Sequence, residues 1–170
     1  MRERRTAQEA RRAREFEAFV AGAGGRLLHA ATLLTAEAPA DNPRARRLLT
    51  LALAHTYACW DRLHGEDPYN RAREYLATRF AHGAWHRYAT LPLGLVRPLP
   101  AVGPLARLTA QERLVLVLRL YEGVAEEQVA ALLGLPTERI RTVCDRATAT
   151  LLHPPRGPAP AVRRAKAAAS

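Results

Sequence analysis

Apolar residues return every three or four positions along most of this chain, and nowhere do they alternate with polar ones over the length of a strand. Phe16, Phe19 and Val20 begin the pattern. Leu27, Leu28, Ala31 and Leu34 continue it, and Leu48 to Leu53 with Tyr57 and Trp60 form a second stretch. A period near 3.6 gathers such residues on one face of a helix. Asp67 and Pro68 predict another helix start, the acid as cap and the proline at the first helical position. Tyr75, Leu76, Arg79, Phe80, Gly83 and Trp85 carry that helix to a polar-aromatic end at His86, Arg87 and Tyr88. The predicted fold class is all-α.

A second helical block opens at Leu108 and Thr109. Glu112 stands three residues after Thr109, the spacing of a capping box, and Leu114, Val115, Val117, Leu118 and Tyr121 make the buried stripe until Gly123 stops the helix. The next helix runs from Ala125 to Leu133, and Thr137, after Gly134-Leu135-Pro136, predicts the cap of the last one. Between the blocks, from Leu91 to Pro104, four prolines and two glycines remove helix-forming capacity. The expected organisation is therefore two small helical domains. Residues 1–14 form a basic N-terminal arm, 15–90 the first helical domain, 91–106 a Pro/Gly-rich linker, 107–153 a helix-turn-helix domain and 154–170 a basic disordered tail.

Charge narrows the class of partner. The 170 residues hold 26 Lys and Arg against 16 Asp and Glu, a formal +10 with an isoelectric point near 10.9. That surplus suits a polyanion or an anionic membrane surface. No apolar run reaches the ~18 residues of a spanning helix, and MRERRTAQEARRAREF lacks an apolar signal core. A cytoplasmic protein without a membrane span is expected. Cys59 and Cys144 stand alone in apolar helical patterns, as small core residues do. No Cys or His pair has a zinc-ligand spacing, the histidines accompany no Ser or Cys nucleophile motif, and no glycine loop for phosphates is present. Neither a metal site, a cofactor nor a catalytic residue is expected, so the chain reads as no enzyme.

One stretch carries a spacing with chemistry behind it: EEQVAALLGLPTERIRTVCDRA, Glu126 to Ala147. Two helices that cross closely need a small residue midway along the first, a residue tolerant of positive φ at the turn, and an aliphatic anchor in the second. Ala130, Gly134 and Ile140 fill those places, with Val129, Leu133 and Val143 facing inward. Thr137, Glu138, Arg139, Arg141, Thr142, Asp145 and Arg146 are left outward. Arginines and hydroxyls on an exposed helix suit a reader of the DNA major groove, which makes Thr137, Glu138, Arg139, Arg141, Thr142 and Arg146 the candidate DNA-binding residues. A helical hairpin with a solvated charged face has the same spacing. These residues alone leave both readings open.

The longer stretch LTAQERLVLVLRLYEGVAEEQVAALLGLPTERIRTVCDRATATLL resembles the C-terminal DNA-binding region of bacterial extracytoplasmic-function sigma factors. Leu108, Arg113, Tyr121, Glu122, Gly123, Glu126, Glu127, Val129, Ala130, Leu133, Gly134 and Ile140 stand at the matching places. The first block is similar to the other main region of that family through FEAFVAGAGGRLLHAATLLT and AHTYACWDRLHGEDPYNRAREYLATRFAHGAWHRY. The resemblance spans about residues 15–153, and within the family it leans to the actinobacterial SigE-like group. It implies a transcription initiation factor whose helix-turn-helix reads the upstream promoter element. The first block would contact core RNA polymerase and the melted element nearer the start site. Implied partners are promoter DNA and core polymerase, with room for an anti-sigma or other regulatory protein.

By the same resemblance, Arg79, His82, Trp85, His86, Arg87 and Tyr88 are the candidate single-strand contacts, since rings beside cations can hold unstacked bases. Trp85 and Tyr88 would equally serve as packing at a helix end. Two departures stand out. Where the family carries an acidic segment of the type Glu-Asp-Leu-Val-Gln-Glu, this chain reads RRLLTL, so the polymerase-contact surface expected at Arg46, Arg47, Thr50 and Leu51 has its charge reversed. Reversing close charge partners costs several kcal/mol at an interface. The alternative is a sigma-like DNA-binding regulator or protein-interaction adaptor that no longer binds core polymerase in the usual way. Val143 and Asp145 also replace positions that are commonly basic or His, which lowers the expected phosphate affinity and leaves Arg141 and Arg146 as the leading arginines.

Overall fold

The helical periodicity becomes six helices: α1 (Arg2–Thr35), α2 (Pro43–Ala58), α3 (Pro68–Thr90), α4 (Ala110–Leu116), α5 (Glu126–Leu133) and α6 (Thr137–Leu152). The computed structural model describes residues 2–63, 65–90 and 101–153, without the side chains of residues 2, 3 and 85–90. Among the described residues there is no strand, only an isolated bridge between Ala38 and Asp41. The fold is all-α.

The basic lead-in differs from the expected arm. Residues 2–14 continue α1 as helix, and contacts far along the chain hold its inner end. The Arg12 guanidinium lies over the Tyr57 ring, 4.2 Å from its centroid, and donates to Asp61 at 3.0 Å and to the Tyr57 carbonyl. Phe16 and Phe19 join Tyr57 and Trp60 in a cluster with centroids 4.8 to 5.9 Å apart. Ring contacts of this kind add about 0.5–1.5 kcal/mol beyond burial. Fixing residues 16 and 19 on α2 makes continued helix the economical course for the residues before them.

Ala36, at φ 52, ends α1. The chain then folds back through Glu37, whose carboxylate accepts the Arg44 N–H at 3.1 Å and the Ala45 N–H at 2.8 Å. Two orphan donors of α2 are thereby satisfied by a residue outside the helix, which suits the positive end of its dipole. Asn42, at the capping position, instead spends its amide on the Thr32 hydroxyl and the Pro39 carbonyl, each at 3.1 Å. Asp67 caps α3 as expected, accepting the Tyr69 N–H at 2.9 Å. Alanines at 30, 31, 45, 52, 72, 77 and 81 are buried where α1, α2 and α3 meet, and their small size lets the helices approach closely.

One apolar cluster spans both blocks. Leu34, Leu48, Leu76 and Phe80 belong to the same cluster as Leu114, Val115, Leu118, Val129, Ile140 and Val143. Of the expected linker, residues 91–100 lie outside the described residues, as does the tail 154–170. The remainder is built in. Val102 donates its N–H to the Ala36 carbonyl at 2.8 Å, and a 3-10 turn at Pro104–Arg107 leads into Leu108, buried beside Leu116 and Ala147.

Polar contacts cross the same seam. Arg113 donates Nε to the Leu34 carbonyl at 2.9 Å and Nη1 to those of Leu105 and Leu108 at 3.2 and 2.6 Å. After α4 the backbone widens into a π turn, Val117–Tyr121, closed by the Glu122 N–H on the Val117 carbonyl at 2.9 Å. At its end Tyr121 lies against His29, with centroids 5.1 Å apart. The Glu122 side chain, only 1% exposed, accepts from the Tyr69 hydroxyl at 2.9 and 3.0 Å and lies 3.4 Å from Arg26. Burial, and then the Glu122 carboxylate, push the Tyr69 phenol well above its ordinary range.

Candidate nucleic-acid interface

The C-terminal helices are held in place by their ends. At the start of α4 the capping box is complete: Thr109 Oγ accepts the Glu112 N–H at 3.3 Å, and the Thr109 N–H donates to Glu112 Oε2 at 2.8 Å. Glu112 has a second duty, since its Oε1 accepts Nε of Arg146 on α6 at 2.7 Å. Burial opposes ionisation of Glu112 and is the largest single influence. The Thr109 backbone and hydroxyl bonds and Arg146 together outweigh it and hold the carboxyl below its ordinary range.

Between α5 and α6 the turn depends on Gly134. It adopts φ 64 and ψ 35, a left-handed conformation that costs most side chains about 1–2 kcal/mol. The Gly134 and Leu135 N–H groups both return to the Ala130 carbonyl, closing α5 in the manner of a Schellman end. Ala130 is buried at the crossing, and Val129, Ile140 and Val143 are at most 1% exposed. Thr137 departs from expectation. Pro136, in extended conformation, occupies the capping position without a side-chain bond, and Thr137 is the first helical residue. The Pro136 carbonyl accepts the Arg139 and Ile140 N–H groups and so starts the helix on backbone bonds alone.

The outward face of α6 presents Glu138, Arg139, Arg141, Thr142, Asp145 and Arg146, with Thr137 half-buried at its start. Its arginines differ in their partners. Arg141 reaches Glu126, at the start of α5, at 3.0 Å and is still 61% exposed. Glu126 also meets Arg119 at 3.5 Å, and Arg119 donates to the Val124 carbonyl at 2.5 Å. Arg146 is held by Glu112, whose side chain is 9% exposed. Among the described residues Arg139 is paired with no acid. An exposed pair is worth about 0–1 kcal/mol, so Arg141 can exchange Glu126 for a DNA group at small cost. Removing Arg146 would strip a largely buried capping carboxylate of its cation, a larger loss. Arg139 and Arg141 are thus the α6 arginines least tied into the fold, while Arg146, itself 55% exposed, bridges α6 to α4. Val143 is core and faces no ligand, so its lack of charge removes no surface contact.

The other predicted groups fall on α2 and α3. Arg46, Arg47 and Thr50 are exposed and Leu51 is half-buried. Arg46 donates to Asn42 Oδ1 at 2.9 Å, and the Thr50 hydroxyl returns to the Arg46 carbonyl at 2.9 Å. Arg79 and His82 are exposed on α3, whereas the side chains of Trp85, His86, Arg87 and Tyr88 lie outside the described residues. The fold joins the two sets, because Arg47, Leu51, Arg79 and His82 line one groove together with Arg44. Arg44 and the Arg146–Glu112 pair carry no local sequence signal, since each depends on a residue brought near only by folding. Among the described residues no cluster of His, Cys, Asp or Glu is placed to hold a metal, both cysteines are free, and no helix is long and apolar enough to cross a membrane.

A second helix with exposed arginines, set on a left-handed glycine turn and braced by a capped helix before it, defines the helix-turn-helix class. Residues 105–151 match the family model of sigma-70, region 4, so this part of the chain is similar to that helix-turn-helix domain. No curated protein and no solved structure gives a significant match to the chain.

Proposed function

We propose that the chain is a transcription initiation factor of the extracytoplasmic-function sigma type, acting in the cytoplasm. The observation that carries the reading is the exposed arginine face of α6 within a segment that matches sigma-70, region 4. In it, the part 107–153 sets Arg139 and Arg141 against base edges of the upstream promoter element, with Thr137, Glu138 and Thr142 beside them. A good bidentate contact discriminates by about 1–3 kcal/mol. The part 15–90 meets core RNA polymerase and the melted strand, the latter through Arg79, His82 and the end of α3. Reaching two promoter elements requires the parts to separate, so the seam through Glu122 opens on binding polymerase. An anti-sigma or other regulatory protein would act by holding it shut. The test is a pull-down with purified core polymerase followed by run-off transcription, with promoter-dependent transcripts expected. Absence of both binding and transcript removes the initiation role.

A second reading has its own observation. The surface where a polymerase contact would fall exposes Arg46 and Arg47, and Arg47 lines a groove with further cations. A sigma-like DNA-binding regulator or adaptor would keep the α6 face and lose core binding. Under this reading Arg46→Glu with Arg47→Asp increases polymerase capture. No gain after that exchange counts against a persisting clamp-binding face.

A further inference from the structure

Among the described residues, the groove between α2 and α3 gathers arginines with no acid in its wall. Arg44, Arg47, Arg79 and His82 line it. Glu37, at the turn before α2, has both carboxylate oxygens turned to the N–H groups that open α2. Among the described residues neither Arg47 nor Arg79 is paired with a carboxylate. Like charges gathered this way repel one another, and an anion between them relieves the repulsion. Arginine forks fit phosphate oxygens in pairs.

The floor of the groove is of another character. Leu48 and Phe80 are core residues at 8% and 5% exposure, and Leu51 is half-buried beside them. The volume, about 430 Å³, lies within the ~300–1,000 Å³ of small-molecule sites and exceeds what a bare phosphate fills. Cations at the rim and an apolar floor call for a ligand with both an anionic end and a flat or apolar body. We propose that this groove binds a small organic phosphate of the nucleoside diphosphate class, with phosphates on Arg47 and Arg79 and the ring over Leu48, Leu51 and Phe80. The proposal rests on α2 and α3 alone and is independent of DNA reading by α6.

Isothermal titration of the full chain with ADP, GDP, inorganic pyrophosphate and adenosine, at ~0.15 M salt, tests it. At least one nucleotide should bind once per chain, about ten-fold or more tighter than pyrophosphate and than adenosine. Arg47→Ala and Arg79→Ala should each weaken that binding about ten-fold, with unfolding temperatures unchanged because both side chains are exposed. Arg139→Ala should leave it unaltered. Absence of nucleotide binding, pyrophosphate binding as tight as the nucleotide, or insensitivity to both arginine changes would overturn the proposal. So would a single-stranded oligonucleotide that binds through Arg47 and Arg79 while neither nucleotide does.

Discussion

Two cationic surfaces on this protein are built from arginines on helix faces, yet their surroundings differ. On α6, Arg141 stands 3.0 Å from Glu126 and Arg146 stands 2.7 Å from Glu112. In the α2–α3 groove, Arg47 and Arg79 share a wall that holds no acid among the described residues. A carboxylate beside an arginine offsets part of its attraction for DNA and restricts where the guanidinium points. Among the described residues Arg47 and Arg79 lack such partners, as Arg139 does on α6; the groove differs in gathering several cations over an apolar floor, which suits a ligand that brings several negative charges of its own. The formal +10 of the chain says how much positive charge there is. The acids beside it say what each part can do.

The comparison holds only while both surfaces ride on one body. Leu76, 2% exposed in the core that joins the blocks, tests this: Leu76→Ala should cost about 2–5 kcal/mol, seen as a lower urea midpoint in a single transition. Removing an arginine from α6 should separate function from stability. Arg139→Ala should weaken binding to a preferred duplex by about 1–3 kcal/mol and move stability by less than about 0.5 kcal/mol, read by fluorescence anisotropy and thermal denaturation. Arg146→Ala should do the opposite first, costing about 1–2 kcal/mol of stability because Glu112 loses its cation.

Glu112 adds a pH signature. Its carboxyl titrates below its ordinary range in the folded chain, so its stabilisation is fully present above the unfolded value of ~4.3 and is lost as pH falls through the lower folded value. Glu112→Gln should lower the urea midpoint at neutral pH and flatten its decline on the acid side. The smallest effect is expected at Glu126. Glu126→Gln should change stability by about 0–1 kcal/mol and, by releasing Arg141, broaden the set of duplexes bound.

What could be read before folding was local. The Thr109–Glu112 box, the Asp67-Pro68 start, the stop at Gly123 and the turn at Gly134 each follow from residues within a few positions, and the structure has all of them. The burial of Ala130 and Ile140 follows from helical period. Residues 1–14 read as a basic arm with no sign of helix, because Arg12 finds Tyr57 and Asp61 only 45 and 49 positions later. That Arg146 also braces α6 on α4 was not legible, because Glu112 is 34 residues away. Arg47 and Arg79 read as parts of two different surfaces because nothing in their spacing reports that α2 and α3 pack side by side. The Glu37 cap on α2 carries no local signal, because its carboxylate takes N–H groups seven and eight positions later.

The central claim is that α6, and not the α2–α3 groove, is the surface that reads duplex DNA. Anisotropy titrations of a duplex selected from a random pool, repeated across salt concentrations for the wild type, Arg139→Ala and Arg47→Ala, test it most directly. The account predicts that Arg139→Ala loses about ten-fold or more in affinity, with either poorer discrimination between duplexes or a salt slope smaller by about one, and that Arg47→Ala matches the wild type. A loss at Arg47→Ala with full binding by Arg139→Ala would contradict it.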